Sequence, residues 1–208
     1  MRILVIFSHP SSESYGASLF DMACRTLEAA GHKLRVHDLY REGFQPILTK
    51  EEWDDYLTHT DRIIAKHSNH IDDLEWAEAL VVIYPTWFYG APAMLKGWLE
   101  RVWLPGVAFE VADTKQRRPK PKMRHIRYVV GITSSGSPWW WIEIIGDPGR
   151  KLWTRGLRLL FAPGCKVVWL QIYNMNHSTN ADRVKFLRQV ERTLKRICLL
   201  YTSPSPRD

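Results

Sequence analysis

Three stretches of this sequence carry residue types that can grip an anion and cover a flat ring. The first, "SHPSSESYGAS", holds His9, Tyr15 and Gly16 among the hydroxyls of Ser8, Ser11, Ser12, Ser14 and Ser18. Hydroxyls and backbone N–H groups converging on the positive end of a helix make a seat for phosphate, each helix-end charge interaction contributing about 0.3–1 kcal/mol. Taken by itself the stretch has a plainer reading, ordinary helix capping by Ser14. The second, "PTWFYGAP", runs through Pro85, Thr86, Trp87, Phe88 and Tyr89, and the third, "TSSGSPWWW", through Thr133, Ser134, Ser135, Gly136, Trp139 and Trp140. Loops face water, so aromatic residues gathered in them point to something flat that they cover. A tricyclic isoalloxazine fits that mixture of amides, small hydroxyls and rings: it offers apolar faces to stack on and a pyrimidine edge where negative charge develops on reduction.

The elements between these stretches determine whether they can meet. Ile3 to Phe7 is a continuous apolar run rich in branched residues, the pattern of a strand covered on both faces. A helix follows, capped by Ser14, with Leu19, Ala23, Leu27 and Ala30 at helical spacing and Gly31 as its left-handed stop. Further strands are expected at Lys33–His37, Ala79–Tyr84, His125–Thr133 and Lys166–Ile172, and helices from Pro92, over Arg150–Phe161 and over Asp182–Cys198. The pattern weakens from Arg41 to Asn69, which reads as short, largely solvated helices. On the helix after Pro92, Met94, Leu95, Trp98, Leu99, Val102 and Trp103 form one apolar stripe, so Trp98 and Trp103 are expected in the core. Gly97 costs that helix about 1 kcal/mol relative to alanine, which implies another backbone packed closely against it.

Alternating strands and helices imply an α/β fold with a five-stranded parallel sheet and helices on both faces. In such sheets ligands collect beyond the carboxyl ends of the strands, which is where all three stretches lie. One domain is expected over residues 1–198, with 199–208, including "YTSPSPRD", as a disordered or non-native tail.

Composition narrows the classes. No apolar run approaches the roughly 18 residues a membrane-spanning helix needs, and the amino terminus turns polar too early for a secretory signal, so a cytoplasmic protein is expected. Cys24, Cys165 and Cys198 include no CxxC pair and suit reduced thiols. Much of the net charge of +7 sits in "KQRRPKPKMRHIR", a solvated loop that could also steer a phosphate-bearing cofactor; one loop is insufficient for nucleic acid. His67, His70, Asp72 and Asp73 could approach a metal from one side of a helix, but a polar surface segment is more simply solvated, and no metal site is expected. Lys96 and Glu100 read as a solvated face.

The sequence resembles the flavodoxin-like NAD(P)H:quinone oxidoreductases from Met1 to about Leu194, most specifically in "YPTWFYGAPAMLKGWLERVW", with "HPSSESYGAS" similar to the family's phosphate loop and "TSSGS" to its flavin-edge loop. The resemblance implies a flavodoxin-like enzyme, a homodimer carrying FAD, with FMN as the alternative. Hydride would pass from NAD(P)H to flavin N5, and two electrons then to a quinone or other flat aromatic acceptor, in a ping-pong cycle. By the same resemblance His9, Ser14, Tyr15 and Gly16 would hold the flavin phosphates, and Pro85, Thr86, Trp87, Phe88 and Tyr89 would line the ring. Thr133, Ser134, Ser135 and Gly136 would meet its pyrimidine edge, Arg183 would lie near an adenine, and Phe109 would serve as a lid lent to a partner subunit. The family's tyrosine and histidine beside the flavin are replaced by Trp139 and Ile145, neither a usable proton relay. With no certain catalytic side chain, the flavin would carry the chemistry, and Phe109, Trp139 and Trp140 would shape the acceptor site. A regulatory subunit of an ion-transport system is the alternative from another class.

Overall fold

The computed structural model describes residues 1–112 and 119–202, with side chains described through Ile197 in the last helix. Lys115, Arg117 and Arg118 of the basic stretch, the side chain of Cys198 and the end of the tail from 203 lie outside the described residues.

Five parallel strands form the sheet: β1 (Arg2–Phe7), β2 (Lys33–Asp38), β3 (Ala79–Pro85), β6 (Tyr128–Ser134) and β7 (Lys166–Ile172), in the order β2-β1-β3-β6-β7. β1 and β3 are almost wholly buried because both of their faces are covered, which is why they read as unbroken apolar runs rather than alternating ones. One face is covered by α1 (Tyr15–Ala29) and α8 (Asn180–Thr202), through Leu19, Met22, Ala23, Leu27, Phe186, Val190 and Leu194. The other is covered by α3 (Thr60–Lys66), α4 (Ser68–Trp76) and α5 (Ala93–Val102), with α2 (Lys50–Asp55) joined to α5 through Glu52 and Arg101. There Trp98 and Trp103 are buried with Leu95, Leu74, Ile63 and Trp153, as the apolar stripe requires. Fully burying one such side chain stabilises the fold by about 1.5–3 kcal/mol.

Several expectations need correction. The Arg41–Asn69 excursion is not simply solvated. Phe44 and Ile63 join the core, α2 carries a complete capping box between Thr49 and Glu52, and Glu52 forms a buried ion pair with Arg101 of α5. The backbone that Gly97 implied is Pro46 of this same excursion: a Cβ on Gly97 would lie 2.1 Å from the Pro46 carbonyl oxygen. His67 and His70 are likewise largely buried, their side chains 11% and 14% exposed.

The fourth sheet strand begins at Tyr128, not His125, because its partner β3 begins opposite it at Ala79. A single helix over Arg150–Phe161 is replaced by α7 (Pro148–Lys151), a π turn over Leu152–Gly156 and a 3-10 turn over Leu157–Leu160. The break turns Trp153 inward, where its indole N–H donates to the Tyr84 hydroxyl at 2.9 Å. The last helix is longer than expected and runs through Thr202. A small antiparallel pair, β4 (Phe109–Glu110) with β5 (Lys120–Pro121), and a short helix, α6 (Trp139–Ile144), were not apparent from the pattern. Among the described residues no helix is long and apolar enough to cross a membrane.

Candidate functional site

The winding of the sheet reverses between β1 and β3, so the loops leaving their carboxyl ends part to leave a crevice. On one side stands the start of α1. The Ser14 hydroxyl accepts the Ala17 amide at 3.0 Å, capping the helix whose first residues Tyr15 and Gly16, with Ser14, line the crevice. His9 Nδ1 lies 3.0 Å from the Ser11 amide nitrogen and 3.1 Å from the Ser11 carbonyl oxygen, which holds the ring beside the start of α1. Gly16 sits against the same ring, with room for a Cβ 3.5 Å from His9 Cδ2. The Tyr15 hydroxyl donates to the Arg183 carbonyl at 2.7 Å. Burial pushes that phenol up to about 12, against the pull of the Arg183 charge, so it stays a neutral donor at physiological pH.

On the other side is the loop after β3. The Thr86 amide and hydroxyl both donate to the Ser134 carbonyl, at 2.8 and 3.0 Å, pinning this loop to the end of β6. Trp87 and Gly90 then exchange backbone hydrogen bonds of 3.1 and 2.9 Å, closing a two-residue turn around Phe88 and Tyr89. Both central residues have positive φ, 44° and 67°. A turn of this mirror-image type normally takes Asn-Gly, and each aromatic residue held there costs roughly 1–2 kcal/mol. The clamp comes from the segment after β6: the Gly149 amide donates to the Tyr89 carbonyl at 3.0 Å, and Trp141 Nε1 donates to the Tyr89 hydroxyl at 3.1 Å. A Cβ on Gly149 would come within 2.9 Å of that carbonyl, so only glycine permits the approach.

Two cavities occupy the crevice. The larger, about 420 Å³, lies between His9, Ser14, Tyr15 and Gly16 on one side and Pro85, Thr86 and Trp87 on the other. The smaller, about 280 Å³, is lined by Thr86 to Tyr89 and Ser135 to Ser137. They share Thr86, Trp87 and Gly136, so they form one groove with an amide-rich end and an aromatic end.

The structure thus brings together most of the residues singled out in the sequence, with some placed differently. Thr133 lies inside β6, buried, its hydroxyl without a hydrogen-bond partner, and lines neither cavity. Arg183 stands beside Tyr15, its Nε donating to the Ser178 hydroxyl at 3.0 Å, also outside both cavities. Trp139 and Trp140 sit exposed on α6, beside the groove rather than in its walls, and Ile145 caps that helix. Phe109 packs against the core from β4 and does not reach the groove of its own chain.

Met175 and Asn176 also line the larger cavity, from the 3-10 turn after β7. Neither stands out in the sequence by residue type, although β7 is the neighbour of β6 and the same carboxyl-edge rule points to its exit. Asp147 is a further buried group at this edge. It sits at φ 47° and accepts the Arg150 amide at 3.3 Å, and burial raises its carboxyl.

A family profile described as a flavodoxin-like fold matches residues 1–192. The chain belongs to the flavodoxin-like NAD(P)H oxidoreductase family. Among curated relatives of this family, the Escherichia coli protein named Uncharacterized NAD(P)H oxidoreductase YcaK is 32% identical over 148 residues, 70% of this chain and 73% of that protein. The guinea pig (Cavia porcellus) NAD(P)H dehydrogenase [quinone] 1 is 27% identical over 98% of this chain and 81% of its own length. Among solved structures, Smu.1420 from Streptococcus mutans superposes with a TM-score of 0.81 at 24% identity, over 94% of this chain and all of that one, a likeness of fold.

Proposed function

We propose that the chain is a flavin-dependent NAD(P)H oxidoreductase that reduces quinones or similar flat aromatic acceptors. The observation that carries this reading is the continuity of the groove, in which the amide-rich end at α1 and the aromatic end at Trp87 to Tyr89 share Thr86, Trp87 and Gly136. That shape fits a nucleotide with a phosphate at one end and a broad ring at the other. The names of the relatives described above support the same chemistry.

When bound, the flavin would accept hydride from NAD(P)H and pass two electrons to the acceptor in two successive half-reactions. The residues of this chain would do the holding. His9, the Ser14–Gly16 helix start and Tyr15 would meet phosphate oxygens, and the 134–136 stretch, with Ser134, Ser135 and Gly136, would face the pyrimidine edge. Trp87, Phe88 and Tyr89 would flank the ring and keep water from its face.

FAD is the proposed form, because a third cavity of about 600 Å³ past His9, bordered by Asp38, Tyr40 and Arg41, extends the phosphate end. The exposed rings of Trp87, Phe88, Trp139 and Trp140, together with Ile144, form an apolar rim that a second copy would cover, giving Phe109 a neighbour's groove to close.

The test is to purify the chain, record its visible spectrum, release and identify the bound nucleotide, and assay NAD(P)H oxidation with menadione. A yellow protein that turns over without a partner is expected. A colourless protein that binds neither FAD nor FMN at micromolar concentration would overturn the assignment.

A further inference from the structure

At the carboxyl end of β2, on the sheet face away from α1, three side chains from separate elements converge: His37 of β2, Glu42 in the turn that follows, and His70 of α4. One ligand-type atom from each lies within 4.8 Å of the other two. His37 Nδ1 is 3.0 Å from Glu42 Oε1, and His70 Nε2 is 3.7 Å from Glu42 Oε2. Around a tetrahedral zinc with metal–nitrogen distances near 2.0–2.1 Å, ligand atoms are roughly 3.3 Å apart, close to the two separations from Glu42, while the His37 and His70 rings, with centroids 4.0 Å apart at 34°, would have to splay for both to face one ion.

The surroundings are those of a coordination site as well. His37 Nε2, the nitrogen away from Glu42, is 3.0 Å from Asp73 Oδ2, and Asp73 is held in turn by Arg35 at 2.7 Å. A carboxylate behind a ligating imidazole fixes its orientation and raises its basicity, which is the usual outer support of a metal-bound histidine. Without an ion, His37 Nε2 is buried and makes no well-directed hydrogen bond. Phe44 closes the inner side, edge-on to His70 at 5.1 Å. The His37 and His70 side chains are 10% and 14% exposed, while that of Glu42, at 35%, leaves a way in from solvent.

We propose that His37, Glu42 and His70 bind one divalent transition-metal ion of the zinc class, with Asp73 orienting His37 and a fourth position open to water. Two imidazoles and one carboxylate favour such borderline ions over calcium or magnesium, which take oxygen ligands.

One contact opposes the ion. Trp98 Nε1 donates to His70 Nδ1 at 3.3 Å, so ligation through Nε2 moves the ring proton to Nδ1 and gives up that bond. This points to affinity in the micromolar range rather than that of a permanently metallated site. Bound there, the ion ties the end of β2, the turn after it and α4 together, independently of whether the groove holds a flavin.

The experiment uses the full chain, stripped with chelator and titrated with Zn²⁺ against a chromophoric competitor, beside E42Q, H70Q and the surface control H59Q. Wild type and H59Q are expected to bind one equivalent at micromolar or lower dissociation constant, and E42Q and H70Q at least tenfold more weakly. Zinc at a hundredfold excess over that constant should raise the unfolding midpoint of wild type by roughly 5–10 °C and that of E42Q by far less. Glu42 is partly exposed, so E42Q serves if H70Q does not fold. Zinc binding that is unchanged in E42Q, or absent from wild type, overturns the proposal.

Discussion

The Trp141 indole donates to the Tyr89 hydroxyl across 3.1 Å, joining the loop after β3 to the helix after β6. Together with the Gly149–Tyr89 backbone bond of 3.0 Å, it holds a strained aromatic turn against a segment far away in sequence. Y89F and W141F should each cost less than about 1 kcal/mol of stability, since the bond is exposed to water. Each should weaken flavin binding, and in a double-mutant cycle read by flavin fluorescence the two losses should be less than additive, with about 0.5–1 kcal/mol of coupling. Fully additive losses would mean that the bond does not brace the groove.

Phe88 is 95% exposed at φ 44°, so it has little burial to lose and backbone strain to relieve. F88N should therefore stabilise the flavin-free protein by roughly 0.5–1 kcal/mol in urea unfolding while raising KM for an aromatic acceptor. A loss of stability instead would show that the ring packs in solution.

Helix propensity predicts that Gly97→Ala stabilises α5 by about 1 kcal/mol. The structure predicts the opposite sign. The new methyl would meet the Pro46 carbonyl at 2.1 Å and its Cα at 2.5 Å, backbone atoms that cannot rotate away. A net loss of about 2 kcal/mol or more in the denaturation midpoint is expected.

The buried Glu52–Arg101 pair sets the acid limb of stability. Burial alone would raise the Glu52 carboxyl, but the Arg101 guanidinium, the Thr49 amide and the charge on His67 hold it below its ordinary value. A carboxyl depressed in the folded state adds stability above its unfolded pKa, and that stability is lost as pH falls through the folded value. E52Q should cost about 3 kcal/mol at neutral pH, by leaving Arg101 charged and unpaired, and the gap from wild type should narrow below about pH 4 in urea unfolding series.

The sheet was legible in the sequence because β1 and β3 are continuous branched runs whose burial on both faces leaves no ambiguity of period. The groove was legible for a related reason: the carboxyl-edge rule places Ser14, Thr86 and Ser135 on neighbouring exits once the strand order is known. The fate of Arg101 and His70 was not legible. Both are polar residues whose burial depends on Glu52 and Glu42 arriving from distant positions, and local spacing carries no trace of that. Trp153 was missed in its detail because a π turn, which periodicity does not encode, points it at Tyr84.

Seven of the ten tryptophans divide by environment, with Trp98, Trp103 and Trp153 shut in the interior and Trp87, Trp139, Trp140 and Trp141 in contact with water around the groove, while Trp53 is exposed on α2 and Trp76 and Trp169 are half-buried. Intrinsic emission from this chain should therefore be a composite, with a blue component from the sealed indoles and a red one from the solvated set. A chromophore docking in the groove would quench the red part first, so a shift of the spectrum toward shorter wavelength would report occupancy with no label attached.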